Sequence, residues 1–275
     1  MSAESRQDTY PPHGHILRHL RMELELRDDE TLLGAMPILN DLRDEGGALR
    51  FGALATLIDV AAGTFSHELV RPDWLATTDL KLHSIRPAVR GPVTSVTRTV
   101  RNGRRSILSE TIASDADGEV ARGWVTYARL PRRDDTPHVE GSSRIGTKLV
   151  YVETDEPTRP TLDGYVGIER DPEHLTIHAR HHPRIHNSFG SIQGGVAAIL
   201  VEHVATAAGE RHLGGPCRVT DLQMYYLGQT RSGPFRVDGT VLRVDERSVT
   251  VEAAVVDAGN DDLLLDLGTA TAQLI

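Results

Sequence analysis

Two carboxylates stand where carboxylates are costly. Asp59 lies inside Ala53-Leu-Ala-Thr-Leu-Ile-Asp-Val-Ala-Ala62, and Glu202 lies inside Val196-Ala-Ala-Ile-Leu-Val-Glu-His-Val204. An acidic side chain in an apolar helix must be paired, turned to a wet face or used. Composition does not choose among these, but a used carboxylate in such a place is suited to acid–base work. Ahead of the second segment runs Asn187-Ser-Phe-Gly190-Ser-Ile-Gln193-Gly194-Gly195. Two glycines at a helix start let a ligand approach the backbone, where first-turn N–H groups lack intrahelical acceptors. Asn187 and Gln193 could add amide donors for a carbonyl or oxyanion. A Gly-Gly pair alone is weak evidence, since capping or packing is its usual role.

Asp59 is nine residues beyond Arg50, where its own helix begins, or about 13 Å along the axis. It therefore cannot serve donors at that helix's start. If two such helices pack antiparallel, the start of the other one comes within reach, and the site is composite.

The chain does contain two such helices, because it repeats itself. Gly52-Ala-Leu-Ala-Thr-Leu57 recurs as Gly195-Val-Ala-Ala-Ile-Leu200, an offset of 143 that Gly47/Gly190 and Asp59/Glu202 also keep. Downstream the offset is 142: Thr78-Asp79-Leu80 matches Thr220-Asp221-Leu222, Gly91-Pro92-Val93 matches Gly233-Pro234-Phe235, and Arg105-Ser106 matches Arg247-Ser248. We read a tandem duplication with an N-terminal domain over residues 1–135, a linker over 136–148 and a C-terminal domain over 149–275. Residues 1–20 precede the repeat as a short helix or a loose arm. In each half a short strand (Met22–Leu26, Tyr165–Glu169) leads through another extended stretch into the helix, the first spanning about Arg50 to Val70. A helix apolar on all sides must be wrapped by other structure. Alternating segments at Thr77–Ile85, Val93–Val100, Ser106–Ser114 and Val120–Leu130, punctuated by Asn102-Gly103 and Asp117-Gly118, read as an antiparallel meander. The expected class is α+β, with an antiparallel sheet wrapped around a central helix in each half.

Asn-x-x-Gly-x-(Leu/Ile)-His-Gly-Gly followed by an acidic residue nine positions after the His resembles the hotdog acyl-CoA thioesterases of the phenylacetate-pathway type. Repeat 2 carries it as Asn187, Gly190, Ile192, Gln193, Gly194, Gly195 and Glu202, and the Thr-Asp-Leu strand and Gly-Pro turn are similar too. The resemblance covers about residue 20 to Ile275, twice over, and implies two tandem hotdog domains. In that family the helix start and the acidic residue come from different subunits, which implies two sites here. One combines Asn187, Gln193 and Gly194, with Gly195 expected to contact substrate, and Asp59 and Thr77, the last at the water-orienting hydroxyl position. Only the His departs from the pattern, and Gln193 still supplies a donor. The other combines Asp44, Arg50 and Phe51 with Glu202 and Val219, where donor, glycine and hydroxyl are all lost. The first is expected to be the working site and the second degenerate. Arg101, Arg104 and Arg105, with Arg86 and Arg247 behind them, are candidates for a basic rim toward the CoA phosphates, the alternative being a solvated hairpin turn with ordinary surface charge.

A net charge of −9 over 275 residues argues against broad nucleic-acid binding. The single Cys217 excludes an internal disulfide and a cysteine zinc site and fits a reducing cytoplasm. Glu4, Arg6 and Asp8 leave no readable signal peptide, and no apolar run reaches membrane length. Histidines 174, 178, 181, 182 and 186 read as a surface or strand-face cluster, so no metal is expected. Ser188 and Ser191 lack a nucleophile-elbow setting. The expected partner is an acyl-CoA substrate, with no cofactor beyond the CoA it carries, and fused repeats allow a further homodimer of such chains. Two rival readings are a non-catalytic acyl-CoA-binding or regulatory protein, because the motif's His is missing, and a hotdog hydratase, for which no Asp-x-x-x-x-His loop precedes either helix.

Overall fold

The computed structural model describes residues 10–28, 30–132, 145–152, 159–171 and 173–275. Most of the expected linker, residues 136–144, and the first nine residues lie outside them. In the first repeat a four-residue helix, α1 (Ile16–His19), precedes strands β1 (Glu23–Leu26) and β2 (Thr31–Met36), helix α2 (Phe51–Val70), and strands β3 (Trp74–Ser84), β4 (Val93–Asn102), β5 (Ser106–Asp115) and β6 (Gly118–Leu130). Strand β7 (Lys148–Val150) and helix α3 (Leu162–Val166) lead into the second repeat. That repeat comprises β8 (Ile168–Arg170), β9 (Thr176–Ala179), α4 (Gly194–Leu213), β10 (Cys217–Tyr226), β11 (Phe235–Val244), β12 (Ser248–Asp257) and β13 (Leu263–Leu274).

The strands form one 13-stranded sheet in the order β7-β1-β2-β4-β5-β6-β3-β10-β13-β12-β11-β9-β8. Its two halves mirror each other about the seam where β3 and β10 pair antiparallel, Leu82 opposite Leu222 and Leu80 opposite Met224. This is the expected pair of tandem hotdog domains, each half-sheet curling around its own helix. Fourteen of the twenty residues of α2 are buried, as a helix without a polar face requires. No described helix is long and apolar enough to cross a membrane.

The approach to the second repeat differs from expectation. Tyr165 lies in α3, and only Ile168–Arg170 is strand. Thr161 caps the turn by accepting from Gly164 N–H at 3.2 Å, and Gly167 ends it in the left-handed region at φ +77°. A hydroxyl cap and a glycine stop override the weak alternation. The N-terminal arm is anchored: Ile16, Leu17, Leu20 and Met22 are buried in the core.

What positions the chemistry is the crossing of α2 with α4. A Cβ on Gly52 would lie 2.7 Å from Ile199 Cα, and one on Gly195 would lie 2.6 Å from Thr56 Cα. The contacts are equivalent under the repeat, and a step forward along one helix meets a step back along the other. The helices therefore run antiparallel, and the same register sets Asp59 against position 192, at the start of α4, and Glu202 against position 49, at the start of α2. Glycine is required because the obstruction is backbone. Gly195→Ala should push the start of α4 off α2, costing about 1–3 kcal/mol as overpacking does and separating Asp59 from Gln193. A thermal melt with a parallel activity assay checks both effects. Unchanged stability and activity would contradict the close crossing.

Candidate active site

Helix α2 carries Asp59 into the seam between the repeats, where it is buried at 7% exposure. Thr77 on β3 donates to Asp59 Oδ1 at 3.1 Å, and Gln193 Nε2 lies 3.4 Å from Asp59 Oδ2. The Gln193 amide can be oriented from its bonds: Oε1 accepts the Val196 N–H at 3.0 Å, capping α4, which aims Nε2 at the carboxylate. A Cβ on Gly194 would sit 3.0 Å from Asp59 Oδ2 and 3.3 Å from the Tyr226 ring. The absent side chain thus opens the first turn of α4 onto the carboxylate. The Gly194 N–H has no intrahelical acceptor at that position and lies at the positive end of the helix.

Burial pushes the Asp59 carboxyl up to about 6 from 3.8, against the lowering effect of the Thr77 hydrogen bond. A carboxylate in this range is ionised at neutral pH yet retains the basicity a proton acceptor needs.

Two tyrosines frame the site without having been singled out in the sequence. Tyr127 on β6, directly opposite Thr77, donates to the Asp59 backbone carbonyl at 2.8 Å. Tyr226 donates to the Gly194 carbonyl at 3.0 Å. Each fixes the main chain at one of the facing candidate groups, Asp59 and Gly194. Their strand positions were readable, but which helix residue they meet depends on cross-strand register and on the bulge between Thr77 and Asp79.

Asn187, expected as a donor to substrate, makes its bonds within its own loop. Its Oδ1 accepts from Phe189 N–H at 2.9 Å and Ser191 N–H at 3.1 Å, and its Nδ2 reaches Ile192 O at 3.4 Å. Gly190, at φ +79°, makes the loop's left-handed turn. Asn187 shapes the approach to Gln193 and Gly194. Gly195, expected to contact substrate, instead faces Thr56 at the helix crossing, where a Cβ would lie 2.6 Å from Thr56 Cα.

Arg101, Arg104 and Arg105 are exposed around the β4–β5 hairpin and form no side-chain hydrogen bond or ion pair among the described residues. Arg129 ties that hairpin to the site's strand: it faces Leu75 on β3, its N–H donates to Arg105 O at 2.9 Å, and its Nη1 donates to Gly103 O at 3.2 Å. Trp74, in the same stretch of β3, packs edge-on against Phe189 of the α4 approach loop, with ring centroids 5.4 Å apart. Arg86 is not part of a rim, because it is paired with Asp115 and with Gly118 O. Arg247 reaches Leu274 O at 3.4 Å. Of the histidines, His174 and His178 are exposed, while His181 and His186 pack ring to ring at 4.1 Å.

The pseudo-equivalent site is closed. Glu202 Oε1 accepts the Phe51 N–H at 2.6 Å, and its Oε2 lies 3.2 Å from Arg50 Nη2. Arg50 also pairs with Asp163, whose carboxylate lies 2.7 Å from His203 Nε2, and Arg170 donates to His203 Nδ1. Asp44 caps Ala48 N–H at 3.0 Å and pairs with Arg218, and Val219 is buried. The donor matching Gly194 N–H is already used. One methylene separates the two outcomes: the longer Glu202 reaches its helix start, whereas Asp59 stops short and leaves Gly194 open.

Residues 189–263 match the model of the thioesterase superfamily, a match to the superfamily and not to any one subfamily. No curated protein matches. Among solved structures, the chain is similar to the tesB protein of Mycobacterium avium subs paratuberculosis, with TM-score 0.63, 12% identity, and coverage of 92% of this chain and 95% of that one. It is similar to a protein assigned as an oleoyl thioesterase from Lactobacillus plantarum (TM-score 0.61, 14% identity, 91% and 98% covered). It is also similar to an acyl-ACP thioesterase from Bacteroides thetaiotaomicron (TM-score 0.58, 12% identity, 88% and 98% covered). At these identities the likenesses establish the fold across both repeats.

Proposed function

We propose that this chain, whose second repeat matches the thioesterase superfamily, hydrolyses an acyl-CoA thioester to free acid and CoA at a composite site between its repeats. The observation that carries the reading is Asp59 Oδ2 lying 3.0 Å from the Cβ position that Gly194 leaves empty. A base and an open helix start face one another there, one from each repeat.

The thioester carbonyl oxygen would accept from Gly194 N–H, assisted by Gln193 Nε2, at the positive end of α4. Asp59 would take a proton from a water oriented by Thr77 as that water adds to the carbonyl carbon. Collapse of the tetrahedral adduct breaks the C–S bond, and the departing thiolate takes up the proton that Asp59 acquired. Direct attack by Asp59 to form an anhydride is the variant pathway, distinguished by ¹⁸O incorporation into the protein in a single turnover in labelled water. The exposed Arg101, Arg104 and Arg105 would meet the CoA phosphates, and no cofactor is required.

Release of free thiol from an acyl-CoA panel tests the reading, and binding without release supports the non-catalytic alternative that the Gln193 replacement keeps open. The pH profile adds a signature. Asp59 is protonated below about 6 and then cannot accept a proton. The value of kcat/KM should therefore fall about tenfold per pH unit below that point and level off above it. A profile flat from pH 5 to 7 removes Asp59 as the base.

A further inference from the structure

Asp266 is the buried acid that this mechanism leaves unused. It is 2% exposed, and neither carboxyl oxygen makes a hydrogen bond or ion pair among the described residues, Oδ2 being completely enclosed. The ladders place it inside the second half-sheet, opposite Tyr226 on β10 and Val255 on β12. It is thus one strand spacing, about 5 Å, from the tyrosine that holds the Gly194 carbonyl. Burial alone raises its carboxyl to about 8, so that the acid stays neutral and offers an O–H.

The repeat shows that the fold does not need this acid. Gly123 and Gly268 occupy equivalent positions, opposite Thr111 and Ala253, which sets Ala121 as the counterpart of Asp266 and Ser84 as that of Tyr226. Ala121 is completely buried and packs well. The polar pair Tyr226–Asp266 therefore accompanies the open helix start, and the small pair Ser84–Ala121 accompanies the closed one.

We infer that Asp266 is a specificity residue that donates a hydrogen bond to an uncharged oxygen function, a hydroxyl or carbonyl, on a short acyl chain. The inference rests on the thioester-hydrolysis reading. Tyr226 holds the Gly194 carbonyl and faces Asp266 across the ladder, so an acyl chain held at Gly194 N–H and running past Tyr226 toward β13 would approach Asp266.

The test compares 3-hydroxybutanoyl-CoA with butanoyl-CoA by thiol release, using the wild type, Asp266→Ala (the first repeat's residue) and Asp266→Asn (which keeps a donor). The wild type should favour the hydroxylated substrate by about tenfold or more in kcat/KM. Asp266→Ala should abolish or reverse that preference, lowering turnover of the hydroxylated substrate while sparing or raising that of butanoyl-CoA. Asp266→Asn should keep most of it. Equal wild-type kcat/KM for the two substrates, or an equal fall for both in Asp266→Ala, overturns the inference and leaves the hydrolase reading standing. If neither these nor the wider panel is hydrolysed, both readings fall together.

Discussion

Asp59→Asn will lower kcat/KM for acyl-CoA hydrolysis by about three orders of magnitude, within the range lost when a positioned acid–base group is removed, and the protein will remain folded. The amide is nearly isosteric and keeps an oxygen for the Thr77 hydroxyl, losing the 3.4 Å contact from Gln193 Nε2, so the fold survives while the proton acceptor is gone. Stability should move the opposite way from activity. The Asp59 carboxyl sits at about 6 in the fold and near its ordinary 3.8 when unfolded. A group raised in this manner favours folding while it is protonated, and that advantage is lost as pH climbs from about 4 through about 6. By pH 7 the buried charge carries a penalty on the order of 3 kcal/mol. Asp59→Asn should therefore melt higher than the wild type at pH 7 and at nearly the same temperature at pH 4. Stability sacrificed at one residue while activity depends on it is the mark of a site selected for chemistry. A variant retaining more than a tenth of wild-type kcat/KM would remove Asp59 from the reaction.

The pairing at the centre of the site was legible because two independent regularities converge on it. The 143-residue offset revealed the duplication, and the position of Asp59 partway along its helix forced its partners to come from the other repeat. The antiparallel crossing through Gly52 and Gly195 supplies that geometry. What stayed hidden depends on sheet register. Tyr127, Tyr226 and Asp266 gain their meaning from strands far away in sequence, and the bulge between Thr77 and Asp79 decides which residues face inward. Asp266 adds a difficulty of its own. The β12–β13 turn is longer than the β5–β6 turn, which moves the last strand's offset from 142 to 145 (Ala121 to Asp266), so a fixed-offset comparison never aligns the acid with its alanine counterpart. The fate of the second site was half readable: the loss of the glycine and hydroxyl suggested decay, but the sequence did not show that the donor itself had been claimed by the carboxylate.

That claimed donor leads to the second large effect. Glu202→Ala should destabilise the protein by about 3–5 kcal/mol, the usual cost of removing one member of a buried ion pair, with little change in kcat. For a chain of this length the melting temperature should fall by roughly 10 °C. The loss has two parts: the Phe51 N–H goes uncapped inside the core, and the Arg50 guanidinium keeps Asp163 as its one anionic partner among the described residues. Glu202→Gln separates them, since its amide oxygen can still accept from Phe51 N–H while Arg50 loses one of its two carboxylate partners, so it should fall between wild type and alanine. The contrast with Asp59 is the physical content of the one-site assignment. At one helix start the carboxylate is long enough to bond the donor, and the energy goes into holding the repeats together. At the other it is one methylene too short, and the unsatisfied donor and raised carboxyl remain available to a substrate. Should Glu202→Ala instead melt like the wild type and lose turnover as Asp59→Asn does, the two starts would be functionally equivalent, and the difference in side-chain length would carry no consequence.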